Sequence, residues 1–160
     1  MAWAKNDTVT LSSSNAELDA GGVTSYIFNT MMMYTSDTSG SADVRVQFNN
    51  DSSNYAWRWS EDGGSDLTST SESRGCLISA QGIATPVLSV SYFINIADEE
   101  KLVIAFSCEQ STAGASTAPR RAEMVTKWVN TSVQISDISI NLTGAVTFPS
   151  DANVSILGTD

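Results

Sequence analysis

The sequence predicts an all-β fold, an antiparallel β-sandwich and most simply a jelly roll of about eight strands. Three observations carry that expectation. Apolar and polar residues alternate with period 2 in segment after segment, and no stretch shows the 3.6-residue period of an amphipathic helix. The polar residues are mostly Ser, Thr and Asn, which suit strands and turns, whereas exposed helix faces carry Glu, Lys, Arg and Gln. Strand-like segments recur at spacings of roughly 8 to 12 residues, divided by clusters of turn formers. At 160 residues the chain fits one such domain, 1–160, with residues 1–12 read as an N-terminal arm.

The elements follow in order. Thr8 to Leu11 and Thr24 to Thr35 are the first two predicted strands, and alternation within Met31-Met32-Met33 turns the outer two inward and Met32 outward. Val44, Val46 and Phe48 alternate with Arg45 and Gln47, as a half-buried strand requires. Tyr55, Trp57 and Trp59 alternate in the same way with Ala56, Arg58 and Ser60, which makes the aromatic face core and turns Arg58 away from it. A strand over Gly75 to Ala80 precedes the longest run, Val87 to Ile96, which places Leu88, Val90, Tyr92, Ile94 and Ile96 on one face; one face of this strand is firmly core. The short polar segment Ala97 to Lys101 reads as a hairpin loop. Beyond it Leu102, Ile104, Phe106 and Cys108 define a strand whose other face, Val103 and Ala105, is also apolar, so it should be central and covered on both sides. Ala122 to Asn130, Val133 to Leu142 and Asn153 to Leu157 complete the set. The phase of Val133 and Ile135 disagrees with that of Ile138, Ile140 and Leu142, and a bulge near Ser136 and Asp137 would reconcile them. Ser36 to Ser41, Glu61 to Ser73 and Glu109 to Pro119 are long surface connections.

Composition narrows function. With 18 acidic and 8 basic residues the net charge is −10, which disfavours partners with phosphate backbones or anionic headgroups; neither nucleic acid nor membrane is an expected partner. Absence of histidine removes the commonest general base and metal ligand. No Gly-x-Ser-x-Gly elbow and no phosphate loop with its lysine is present, so no catalytic residue is assigned and a non-enzymatic role is expected. Cys76 and Cys108 each lie in an apolar stretch and read as two buried thiols, with a disulfide the alternative. The chain as written opens on no secretory signal and holds no apolar run of the roughly 20 residues that cross a bilayer.

Several constellations hold residue types that could carry chemistry. The oxygen-rich segment Phe48 to Asn54, with Asp62 and Asp66 beyond it, could offer hard ligands to calcium, but its Asn and Gly clusters are what turns demand; no cofactor is expected, with calcium the alternative. Asp51, Glu61, Asp62 and Asp66 are the nearest carboxylates for glycoside hydrolysis, and solvated loop acids are the better reading. Trp57, Trp59 and Tyr55 could stack on a sugar ring if they faced outward, so a glycan is a second class of partner. Arg58, Arg120 and Arg121, with outward Met32, are the residues expected at an interface or ligand contact, since arginines in an acidic chain can pair with acids of a neighbouring subunit.

Asn54-Tyr55-Ala56-Trp57-Arg58-Trp59-Ser60, the stretch Asn95 to Ile104, Lys127-Trp128-Val129-Asn130-Thr131 and the closing Ile156 to Asp160 resemble small β-rich proteins encoded among the structural genes of tailed bacteriophages and related environmental viruses. The resemblance implies a virion component assembled in the host cytoplasm. It would be a capsid decoration protein, or else a tail-fibre or receptor-binding module, with itself as partner in a symmetric trimer and major capsid or tail proteins beside it. No functional residue is carried over from that group.

Overall fold

Alternating strands bury one face each, and the chain satisfies this by stacking two sheets. The structure, a computed structural model, describes residues 2–78 and 85–160. Among the described residues there are twelve strands and no helix: β1 (Ala4–Thr10), β2 (Glu17–Ala20), β3 (Phe28–Thr35), β4 (Val44–Phe48), β5 (Tyr55–Glu61), β6 (Leu67–Glu72), β7 (Gly75–Ile78), β8 (Val87–Ile94), β9 (Lys101–Glu109), β10 (Arg120–Trp128), β11 (Ile138–Leu142) and β12 (Asn153–Thr159). The larger sheet has eight strands in the order β1-β12-β3-β8-β9-β10-β5-β6, and the smaller has four in the order β2-β11-β4-β7. Every pairing between these strands is antiparallel, so the protein is the β-sandwich that alternation predicts.

The core lies between the sheets. From the small sheet come Leu18, Val44, Val46, Phe48, Ile138 and Ile140; from the large one come Met31, Met33, Phe93, Val103, Met124, Trp128, Val154 and Ile156, all buried. Phe48 is the hub of an aromatic cluster, with its ring centroid 5.8 Å from Trp128, 6.0 Å from Phe93 and 6.3 Å from Tyr55. Each such side chain contributes on the order of 2 kcal/mol by leaving water. The polar ends of these rings are satisfied as burial requires: the Tyr55 hydroxyl accepts from the Phe48 N–H at 2.7 Å, and the Trp128 indole N–H donates to Asp51 at 2.8 Å.

Several expectations are corrected. The strand over Thr24 to Thr35 begins only at Phe28. Two strands fall where none was expected. β2 is four residues long with two apolar positions, and β6 has one apolar residue, Leu67, at a sheet edge where nothing must be buried. No bulge joins Val133 to Leu142; β11 starts at Ile138, and residues 133–137 cross over to it with Ile135 buried. Of the predicted Gly75 to Ala80 strand, residues 79 and 80 lie outside the described residues. Lys101, expected in the hairpin loop, is the fully buried first residue of β9; its ammonium donates to the carbonyls of Ala97, Glu99 and Asn130 at 3.2, 2.7 and 2.7 Å and pins the loop. Cys76 is buried, where loss of hydration pushes its thiol pKa up to about 12, but Cys108 is exposed, and both are free thiols.

The most consequential correction concerns faces. On β8 the buried residues are Val87, Ser89, Ser91 and Phe93, so Leu88 and Tyr92 stand exposed on the other side. On β9 the buried residues are Lys101, Val103, Ala105 and Ser107, so the strand is central yet covered on one side only. Register explains the choice. Ser91 pairs with both Met31 and Ala105, and Phe93 pairs with Val103, so the phase of β8 is locked to buried neighbours on either side.

Candidate interaction face

The outer face of the large sheet is built from three apolar rows. Met32, Val90 and Phe106 lie side by side across β3, β8 and β9; Tyr34, Leu88 and Cys108 form the next row, and Tyr92, Ile104 and Val125 a third. Phe28, Met32, Tyr34, Leu88, Tyr92, Leu102, Ile104, Phe106 and Val125 retain between 38% and 53% of their surface. Shallow depressions of about 410, 220 and 430 Å³ run across this face. The first is almost wholly apolar, walled by Trp3, Phe28, Tyr92, Ile94, Leu102 and Ile104.

The ion pairs of this face lie along one margin, and exposed Lys5 on β1 closes the third row at the opposite edge. Arg58 pairs with Asp66 at 3.1 Å, Arg121 with Glu123 at 3.0 Å and Lys127 with Glu100 at 2.9 Å, all toward β10, β5 and β6. Such solvent-exposed pairs contribute little stability, but they mark where the apolar rows stop. Of the residues expected at an interface, Met32 lies within the rows, and Arg58 and Arg121 sit on the charged margin. Arg120 is placed elsewhere. It turns to the inner phase at the end of β10 and is engaged by Glu61, by Asp62 at 3.4 Å and by Glu109 at 3.8 Å.

That cluster also accounts for two of the acids considered for hydrolysis. Burial raises the Glu61 pKa, opposed by the Arg120 charge and aided by Asp62 and Glu109. Asp62 is held below the usual range, first by the Arg121 backbone N–H at 2.9 Å. Asp51 caps its own turn, accepting from the Ser53 N–H at 3.0 Å and the Ser53 hydroxyl at 2.8 Å, beside the Trp128 indole. Asn49, Asn50 and Asn54 take positive φ, so the oxygen-rich segment is a sequence of turns. Among the described residues no group of three or more His, Cys, Asp or Glu side chains is arranged to hold a metal ion.

Trp57 and Trp59 turn inward and pack half-buried against the core, with Arg58 outward as alternation requires. They also line a groove of about 320 Å³ between β5–β6 and β4–β7, together with Asp43, Arg45, Leu67, Ser69 and Glu72. The Arg45 guanidinium lies 4.8 Å from the Trp57 ring centroid and is ion-paired with Asp43.

Sequence reasoning missed Leu88, Tyr92, Leu102, Ile104 and Phe106 as surface residues. The available signal was the apolar character of both faces of β9, which says that two covers are wanted without saying that the chain itself supplies one.

No protein-family model matches the chain, and no curated protein matches its sequence. Among solved structures it is similar to a protein of unknown function from Shewanella oneidensis MR-1, at 14% identity and a TM-score of 0.23, over 96% of this chain and 75% of that one. It is similar to a carbohydrate esterase family 2 enzyme plus carbohydrate-binding domain from Corynascus thermopiles (Myceliophthora fergusii), at 10% identity and a TM-score of 0.21, over 91% of this chain and 30% of that one. A family two carbohydrate esterase from Cellvibrio japonicus gives 6% identity and a TM-score of 0.22, over 99% of this chain and 35% of that one. The chain thus spans about a third of the length of either esterase, and likenesses this slight carry no argument about its function.

Proposed function

We propose that this protein is a non-enzymatic structural subunit that packs against further copies of itself through the outer face of its large sheet, as a virion structural protein of the capsid-decoration kind. The observation that carries the reading is the apolar face. Nine side chains of roughly 150–250 Å² each, about half exposed, present on the order of 900 Å². That exceeds the roughly 300–600 Å² of the largest patch on an ordinary monomer and reaches the ~800 Å² per partner of a standard stable interface. Its anatomy is that of an interface too: aromatic residues and Met within the rows, charge kept to the edges. A second copy is the occupant that fits, because a symmetric pair of identical apolar faces needs no partner charge to complement the margin. The virion setting rests on the sequence resemblance, and capsid or tail proteins would be the further partners.

Sedimentation velocity tests this directly. The wild-type protein at about 10 µM should run as an oligomer, and Ile104→Asp, which places a charge in the middle of the face, should run as a folded monomer with an unchanged far-ultraviolet spectrum. A wild-type monomer at about 100 µM would overturn self-packing, and a particle that retains wild-type monomers but loses Ile104→Asp would reassign the face to a different shell protein.

A further inference from the structure

We propose that the groove between β5–β6 and β4–β7 is a binding site for a neutral saccharide. It lies on the opposite side of β5–β6 from the apolar outer face, so it stands or falls independently of self-packing. Three features select the ligand class. The wall contributed by Trp59 and half-exposed Leu67 is apolar and suited to the C–H face of a sugar ring, while the Trp57 ring beside it is stacked by Arg45 and holds that guanidinium in place. Interleaved with them are a guanidinium donor, Arg45, and a carboxylate acceptor, Glu72, whose Oε1 accepts the Ser69 hydroxyl. A polyol supplies the complement to both, since each hydroxyl donates once and accepts twice.

Other classes fit less well. A purely apolar ligand would strip water from Arg45 and Glu72 without replacing its hydrogen bonds. A phosphate-bearing ligand would meet two carboxylates, Asp43 and Glu72, against one guanidinium, on a chain of net charge −10. A simple cation would find the Trp57 ring already engaged by Arg45 at 4.8 Å, a like charge. At about 320 Å³ the groove is at the small end of ligand sites, which suits one or two sugar rings rather than a long buried chain.

The test is an NMR titration of the full chain with the β-1,4-linked tetrasaccharides of glucose, N-acetylglucosamine and mannose, with glucose 6-phosphate and tetramethylammonium as charged controls. At least one tetrasaccharide should shift the Arg45 Nε–H and the Trp57 and Trp59 indole N–H signals saturably, with a dissociation constant on the order of 1 mM. Glu72→Gln, an isosteric change near the end of an edge strand, should weaken that binding about tenfold while leaving the melting temperature and the oligomer size unchanged. Trp59→Phe should weaken it several-fold. No saturable shift from any of the three sugars at about 20 mM, stronger binding of either control, or indifference to Glu72→Gln would each overturn the assignment.

Discussion

Gly158 shows how a single position is fixed by what lies against it. A Cβ built there would stand 2.2 Å from Tyr26 Cδ2 and 2.7 Å from Cγ, so the ring occupies the space a side chain would need. Gly158 lies in β12 between Ala4 of β1 and Asn29 of β3, so neither neighbouring backbone can yield without breaking a ladder. Gly158→Ala should therefore destabilise the protein by about 1–3 kcal/mol through overpacking. Gly22→Ala, where nothing lies within 4 Å, should change stability by no more than about 0.5 kcal/mol. Urea titration checks both, the first as a lower midpoint at an unchanged slope. From sequence alone Gly158 falls just past the strand predicted over Asn153 to Leu157, and the ring that explains it lies 132 residues away, beyond the reach of any local pattern. Outward Met32, by contrast, was legible, because period 2 within a strand decides it. Arg120 was not, since its partners Glu61 and Asp62 come from a different hairpin.

The strands were the legible part of the elements, and their faces were not. Alternation locates β4, β5, β8, β9 and β10 to within a residue or two, because side-chain period is a local property. Which face is buried depends on the neighbours, and on β8 the register with Met31, Val103 and Ala105 outweighs four apolar residues on the other side, Leu88, Val90, Tyr92 and Ile94. The segment ahead of β11 shows a second non-local device. Asn95, just past β8 and fully buried, donates from Nδ2 to the Ile135 carbonyl at 2.9 Å and accepts the Ile135 N–H at 2.5 Å, while its own carbonyl accepts from Gln134 at 2.9 Å. A second amide, Asn49, donates to the Gln134 carbonyl at 2.8 Å and accepts the Ser136 and Asp137 N–H groups at 2.8 and 3.1 Å, so two side chains replace the strand pairing that residues 133–137 lack. Asn95→Ala leaves a buried N–H and a buried C=O unsatisfied and should cost about 2–4 kcal/mol. Amide hydrogen exchange at Ile135 should accelerate by a matching factor, and an unchanged rate would show that the Asn49 contacts and the burial of Ile135 hold the segment without Asn95.

For the whole molecule, two quantities oppose each other: a net charge of −10 and an apolar face of on the order of 900 Å². The charge favours solubility and keeps copies apart, and the face draws them together at a place where ionised groups stand only at the sheet edges. Both were half visible in the sequence, the charge by counting and the face only as an unexplained excess of apolar positions on β8 and β9. Their competition has a signed consequence. Charge repulsion between two acidic subunits acts over distances that salt screens, with a Debye length of about 10 Å at 0.1 M and about 3 Å at 1 M. Apolar contact is not weakened by such screening. Self-association through this face should therefore tighten several-fold as sodium chloride rises from about 0.05 to 0.5 M, read as a falling dissociation constant in sedimentation equilibrium. The opposite sign, dissociation on adding salt, would mean that the marginal pairs of Arg58, Arg121 and Lys127 exchange partners between subunits and that ion pairing rather than the apolar rows holds the assembly. An Arg58→Gln, Arg121→Gln double variant separates the two cases: it should leave the salt-strengthened oligomer in place if the rows carry it, and abolish the oligomer if the margin does.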